Sequence, residues 1–325
     1  MKRPHLYVSS SPHLHSGKTV KCLMWDFIIA LLPAVFAGWF YFGWSALLIL
    51  VLCVAAALLT EVLYDKLVGK SIDVANGSAI FTGLVLGMLL SSQVPWWIPI
   101  VGALVAIVAG KELFGGLGNN PFNSSLVGWT FLALSYRDIL ENYPMPNPKF
   151  LLEAGEYLAY PAIYTLKDSG VDGIIDVPWR DYLLGNVPGE IGTICVIALL
   201  LGGAYLLYRR VITWHIPVFF IVTVWVFGYA TSLIDPDTYA SGTFHVLGGW
   251  TIFAAFFLAP EFGTSPVTPG GKIAYGIGCG LLTMIIRLWG SYMEGVPFAI
   301  LLMNAITPLL DKIRPRVVGR VKEIA

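Results

Sequence analysis

Apolar residues in this chain are gathered into long, nearly uninterrupted blocks, and that arrangement limits the fold more than any motif does. The blocks lie at Cys22 to Phe42, Trp44 to Leu63, Ala75 to Leu90, Pro95 to Leu113 and Phe122 to Tyr136, then Ile191 to Tyr208, Ile216 to Ile234, Thr243 to Leu258, Ile273 to Trp289 and Val296 to Leu310. Crossing a hydrocarbon layer roughly 30 Å thick takes about 20 helical residues at 1.5 Å rise each. The expectation is an all-α polytopic membrane protein with about ten transmembrane helices. Composition agrees: 57% of the residues are hydrophobic and 12% are charged, about half the charge usual for a soluble domain.

Formal net charge is zero, which leaves no basic footprint for nucleic acid. The signs are nevertheless segregated. Lys2, Arg3, Lys18 and Lys21, then Lys66, Lys70, Lys111, Arg209, Arg210 and Lys272, and finally Lys312, Arg314, Arg316, Arg320 and Lys322 fall on alternate connections. The short connections near Gly43, Gln93 and Asp235 to Ser241 carry no basic residue, and Arg287 stands at the edge of the last connection on that side, the one that follows Trp289. Because translocated short loops carry little Lys or Arg, the rich side is cytoplasmic, with both termini on it. The first apolar run exceeds a signal-peptide core of about 7 to 15 residues and no small-residue cleavage site follows, so it reads as a retained helix of a multi-pass cell-membrane protein.

The expected organisation is a cytoplasmic segment 1–21, a first five-helix unit 22–136, an extracytoplasmic segment 137–188, a second five-helix unit 189–311 and a basic cytoplasmic tail 312–325. The 137–188 segment carries eight acidic residues against four basic ones. It reads either as a solvated acidic cap or as a docking or cofactor site. The two units echo one another: Gly77-Ser78-Ala79-Ile80-Phe81 resembles Gly249-Trp250-Thr251-Ile252-Phe253, and Lys111 to Phe122 resembles Arg287 to Phe298. A repeat of five spans re-enters the bilayer upside down, giving inverted repeats whose interface suits a permeation path or a cofactor.

Charges beside apolar spans cost about 2.5 to 3.5 kcal/mol at a helix centre, so each is a candidate by default. Glu112, Glu261 and Asp311 all stand at predicted cytoplasmic ends, where converging carboxylates would offer hard oxygen ligands to a cation. Pairing with Lys111, Lys272 and Lys312 is the plainer reading. Asp26 and Glu61 read as interface-pairing groups. Two polar threads interrupt the apolar pattern: Gly115 to Pro121, leading to Asn123, and Glu261 to Pro269. Irregular backbone at that depth must be buried or line a cavity. Asn119, Asn123, Thr264 and Thr268 are therefore candidate cofactor-binding residues, with re-entrant packing and helix capping as the alternatives.

Cys22, Cys53, Cys195 and Cys279 are isolated in apolar stretches, without the paired spacings of a zinc or iron–sulfur site, and read as packing residues. The five histidines form no metal spacing. No Ser/His/Asp or phosphate-loop signature appears, which argues against a self-contained hydrolase or ATPase.

Several segments together resemble a known family, the D subunits of Rnf and the B subunits of Nqr ion-pumping oxidoreductases. They are Ser10-Ser11-Pro12-His13, Ala30-Leu31-Leu32-Pro33-Ala34, the Lys111 to Asn123 run, Leu184-Gly185-Asn186-Val187-Pro188-Gly189, and Glu294-Gly295-Val296-Pro297-Phe298 through Asn304. The resemblance implies a urea-channel-like fold of inverted five-helix repeats. It implies a translocase component, not catalytic alone, that relays electrons through FMN or another flavin from a ferredoxin-type donor while the complex moves Na⁺ or H⁺. The partners it implies are a flavin-bearing extracytoplasmic subunit, iron–sulfur subunits and homologous membrane subunits, with no iron–sulfur cluster held by this chain alone. It also assigns ion translocation to Glu112, Glu261 and Asp311.

One departure stands out. Family members commonly attach FMN to a threonine in an Ala-Thr-Pro-Leu motif, where this chain has Ala159-Tyr160-Pro161-Ala162, with Thr165 in a non-matching context nearby. Flavin is therefore expected to be noncovalent, beside Tyr160, whose ring can stack on isoalloxazine. A urea-channel-like solute channel and a flavin-free structural component of the same complex are the competing functions.

Overall fold

The computed structural model describes residues 19–70, 74–146, 160–174, 178–292 and 294–313. The Ser10 to His13 motif, the acids Glu153, Glu156 and Asp176, and the basic residues Arg314 to Lys322 lie outside the described residues. Among the described residues there is no strand.

The first helical stretch, Val20–Val68, is interrupted at Gly43 (φ 68°, ψ −147°), which divides it into α1 (20–42) and α2 (44–68). The chain reverses there. Trp25 donates to the Ala75 carbonyl while Glu61 is held with Ser78 by Lys111. A continuous helix would set Trp25 and Glu61 about 54 Å apart.

Besides a single helical turn at Arg137–Leu140 and short 3₁₀ turns, the remaining helices are α3 (Ser78–Met88), α4 (Trp97–Val108), α5 (Ser124–Ser135), α6 (Ala162–Ser169), α7 (Trp179–Leu184), α8 (Val196–Tyr208), α9 (His215–Ile234), α10 (Gly242–Leu247), α11 (Thr251–Phe253), α12 (Pro269–Trp289) and α13 (Val296–Leu310). A π-turn, Ala254–Leu258, continues α11.

Four helical stretches are long and apolar enough to cross a membrane, Val20–Val68, Trp97–Phe114, His215–Ile234 and Pro269–Trp289. Four shorter apolar helices, α3, α5, α8 and α13, accompany them. The sequence predicts longer helices for several blocks, and the structure shortens them. The Ala75 to Leu90 block begins as a 3₁₀ turn and holds only 11 α-helical residues. The Thr243 to Leu258 block breaks at Gly248 and Gly249. An apolar run does not distinguish helix from buried turn, and irregular backbone is tolerated at membrane depth when protein surrounds it. That condition holds here: every residue from Phe81 to Ser92 and from Trp250 to Pro260 is buried.

These two central segments start alike. Gly77 (φ 79°) precedes α3 and Gly249 (φ 68°) precedes Trp250 and α11. Both φ values lie in the left-handed region that only glycine enters without cost, so the chain can turn sharply into each segment.

Around this centre the outer helices turn apolar side chains outward. Leu32, Phe36, Leu48, Val51, Leu59 and Leu63 on α1 and α2 are all more than half exposed, as expected of lipid-facing surface. Inner contacts are close. A Cβ on Gly202 of α8 would overlap the Ala30 carbonyl of α1, which is how small residues let apolar helices approach when lipid supplies no hydrophobic drive.

Candidate ion and cofactor sites

At one end of the bundle, a hydrogen-bonded charge network closes over α3. Gly110 ends α4 against Ser124, and the next residue, Lys111, is 2% exposed. Its Nζ donates to Glu61 Oε1 (2.8 Å) and Ser78 Oγ (2.6 Å), and lies 3.9 Å from Glu112 Oε1. Glu112, also buried, accepts from Lys70 Nζ at 2.9 Å. That hydrogen bond is the main reason the Lys70 ammonium is held above the ordinary lysine range. The plainer alternative from the sequence pairs Glu112 with Lys111. The structure gives Glu112 chiefly to Lys70, and Lys111 to Glu61, because folding brings α2 against the end of α4.

The thread after Glu112 turns through Gly115 (φ 110°), Gly116 (φ 98°) and Gly118 (φ 89°). Asn119 is exposed, with its side chain against Gly115. Asn120 accepts from Gly118 N and donates to the Phe122 carbonyl. Asn123 caps α5 through Leu126 N (3.1 Å) and donates to the Leu258 carbonyl (3.4 Å), tying this thread to the π-turn.

The second thread packs against the first, with Gly263 beside Asn120. Glu261 is 8% exposed, and its Oε2 has no hydrogen-bond partner in good geometry, although the Thr264 hydroxyl lies close enough to ease its charge. Glu261 and Asn120 stand on the wall of a cavity of about 540 Å³ with Lys21, Asn76, Phe262 and Gly263. Lys111 is near enough to act on Glu261 electrostatically. Thr268 caps α12 through Gly271 N. Asp311 accepts from Val267 N (2.8 Å) and Thr268 N (3.5 Å).

The three predicted ion residues therefore share one end but differ in state. Glu112 is paired with a lysine, Asp311 anchors backbone, and Glu261 faces a cavity with an oxygen unused. Asp26, expected to pair at the interface, does so with Arg209 (3.2 Å) and Tyr205 (2.9 Å).

Tyr160 and Thr165 are elsewhere. Tyr160 precedes α6 and Thr165 lies within it; Lys167 of the same helix donates to the carbonyls of Gly290 and Tyr292 beyond the C-terminus of α12. Burial holds the Lys167 amine below its ordinary range. Thr268 starts α12 and Gly290 follows it, so about 31 Å of helix separates the two groups. The six predicted cofactor residues thus lie at two ends of the bundle and do not make one site. Tyr160 is 61% exposed, and Thr165 Oγ1 donates to its own helix at Pro161 O.

Beside α6 the structure reveals buried polar residues for which sequence reasoning proposed no role. Tyr143 donates to Glu190 Oε1 (3.2 Å) and meets the Tyr164 hydroxyl (3.2 Å), while Thr193 donates to Glu190 Oε2 (2.7 Å). Burial raises the Tyr143 and Tyr164 hydroxyls well above the usual phenol range. Arg287, expected at a loop edge, is buried and paired with Glu294 at 2.7 Å. The available signals were an acid directly before the Ile191 block and a Glu opening the Glu294 to Asn304 motif.

On the outer side of the same end, Trp179, Tyr182, Tyr239 and Phe244 line a cleft of about 420 Å³. That volume falls within the range of about 300 to 1,000 Å³ seen for small-molecule sites, and aromatic walls suit a flat tricyclic ring.

The model of the NQR2, RnfD, RnfE family matches residues 7–319. Among similar proteins, the D subunit of the Na(+)-translocating ferredoxin:NAD(+) oxidoreductase complex of Acetobacterium woodii is 38% identical, over 99% of this chain and 98% of its own. The D subunit of the proton-translocating ferredoxin:NAD(+) oxidoreductase complex of Clostridium ljungdahlii is 36% identical, over 96% and 95%. The D subunit of the ion-translocating oxidoreductase complex of Halorhodospira halophila is 33% identical, also over 96% and 95%. Full-length similarity to these subunits, together with the family match along nearly all its residues, means that the chain belongs to the NQR2, RnfD, RnfE family.

Proposed function

We propose that this chain is the D-type membrane component of an ion-translocating ferredoxin:NAD(+) oxidoreductase complex, and that it carries a monovalent cation, Na⁺ or H⁺, past the charged end of the bundle. The observation that carries this reading is Glu261. It is a buried carboxylate with an unpartnered oxygen on the wall of an open cavity, within the field of the Lys111 network. A buried charge without a bonded counter-ion is costly, and a cation arriving through the cavity relieves that cost. Glu112 shapes the same field through Lys70 and Lys111, and Asp311 fixes the thread that carries Glu261 and Thr264. Relatives of nearly equal identity are named for Na⁺ and for protons, so the ion is one of these two and overall similarity does not choose between them.

The reading places ten spans in two inverted five-helix repeats in the cytoplasmic membrane, with both termini cytoplasmic. The matching left-handed glycines before the two buried central segments support the repeat. The basic residues of the Glu261 end support the orientation. The partners are the other subunits of the complex, including flavin-bearing and iron–sulfur subunits. Trp179, Tyr182, Tyr239 and Phe244 would hold flavin noncovalently in their aromatic cleft, where it would supply electron-transfer chemistry. Tyr182 also shares a cavity wall with Pro161, which follows Tyr160. A passive channel is disfavoured, because the centre is filled by packed rings, including Trp129 on Trp250 and Phe253 on Phe257.

Reconstituting the purified complex in vesicles tests this. Glu261→Gln should assemble and lose at least tenfold in ion uptake driven by ferredoxin oxidation, and unchanged uptake rejects the assignment. Denaturing gels should show no flavin fluorescence on this chain while acid extraction of the complex releases flavin.

A further inference from the structure

Glu190, at the opposite end from Glu261, is 5% exposed. Asp26, Glu61, Glu112 and Glu294 each have a Lys or Arg within 4.0 Å, but Glu190 has none among the described residues. Its oxygens receive the hydroxyls of Tyr143 and Thr193, and the Trp250 indole N–H lies close enough to ease its charge as well. Glu294 is the next charge outward, already neutralised by Arg287. Neutral donors ease a buried carboxylate but do not cancel its charge. A proton or a bound cation must do that.

Two small cavities flank the group. One, of about 20 Å³, has Tyr143, Tyr164 and Glu294 on its wall; the other, also about 20 Å³, has Glu190, Thr193 and Tyr182. A void of about 10 to 15 Å³ already accepts one water, so each takes a single water or a small desolvated ion. Tyr182 is 3% exposed and its hydroxyl has no hydrogen-bond partner, so an oxygen on the wall beside Glu190 is left free for a ligand.

We infer that Glu190, with the hydroxyls of Tyr143, Thr193 and Tyr182, is a second binding site for the transported monovalent cation, at the end of the bundle remote from Glu261. The inference rests on the ion-translocating reading above and extends it. One carboxylate balances one positive charge, and hydroxyl oxygens are hard ligands suited to Na⁺ or to a protonated carboxyl with its water. The Tyr143 to Tyr164 hydroxyl contact continues from Glu190 to the wall of the cavity that Tyr164 and Glu294 share.

The test uses the intact complex. Glu190→Gln keeps the size of the side chain and one of its two acceptor oxygens while removing the charge. It should leave subunit composition unchanged and lower ion uptake into vesicles at least tenfold. In the wild-type complex, Glu190 should react with a hydrophobic carbodiimide, followed by peptide mass spectrometry. Suppression of labelling by Na⁺ at fixed pH identifies Na⁺ as the ligand; labelling that falls only as pH rises identifies the proton. Wild-type uptake by Glu190→Gln, or labelling indifferent to both Na⁺ and pH, overturns the inference. If the variant does not assemble, the labelling result decides alone. A wild-type complex that generates no gradient refutes the translocation reading itself, and labelling of Glu190 still reports whether the site exists.

Discussion

Replacing Lys111 by Met isolates the energetics of the charged end. Lys111 and Glu61 form a buried pair, their side chains 3% and 10% exposed, and Ser78 and Glu112 complete the network. Without the ammonium, Glu61 stays charged and unpaired, or it takes up a proton. Removing one partner of a buried pair costs about 3 to 5 kcal/mol. Protonation sets a ceiling: holding an ordinary glutamate neutral at pH 7 costs about 3.7 kcal/mol, at 1.36 kcal/mol per unit from a reference near 4.3. For a chain of this length, about 2 °C per kcal/mol turns that cost into a fall in melting temperature of about 7 °C. Thermal unfolding in detergent, followed by intrinsic fluorescence, reads it. At pH 5.5 the deficit should shrink by about 2 kcal/mol, since protonating Glu61 is then cheaper. Lys111→Met combined with Glu61→Gln should recover most of the loss at pH 7, because neither partner is left as a buried charge. A single variant as stable as wild type, or a double variant no better than the single one, would refute the reasoning.

Three further outcomes follow from the same geometry. Gly202→Leu should destabilise the bundle by about 1 to 3 kcal/mol, because even a Cβ overlaps the Ala30 carbonyl; the melting temperature in detergent reports it. Asp311→Ala should cost about 1 kcal/mol by releasing the amides of Val267 and Thr268, whereas Asp311→Asn keeps an acceptor and should lose less; comparing the two separates anchoring from charge. Lys70 is held above its ordinary range by Glu112, so its contribution is complete below the unfolded lysine value and disappears as pH rises through the folded one. Melting curves of wild type and Lys70→Met should therefore differ at neutral pH and converge in strong alkali; a gap that persists there means that the ion pair and the ammonium's place over the Tyr64 ring do not account for the loss.

Much of the architecture was legible in the residues. Apolar blocks of membrane-spanning length announced an all-helical membrane protein, since water and lipid sort side chains by polarity before any fold is specified. The glycine thread after Glu112 and the hydroxyl thread after Glu261 were readable as broken backbone, because glycine and proline act locally. Local chemistry also set the caps, with Asn123 and Thr268 placed directly before the helices they begin.

Other features came only with the tertiary structure. Block length overstated α3 and missed the break at Gly249, because whether an apolar stretch is helix or buried turn depends on what surrounds it. Lys111 is next to Glu112 in sequence yet bonds Glu61, fifty positions away, since α2 packs against the end of α4. Glu190 and Glu261 could not be separated from their paired counterparts by inspection. Whether a buried carboxylate has a counter-ion depends on contacts between distant segments, and no local pattern encodes them.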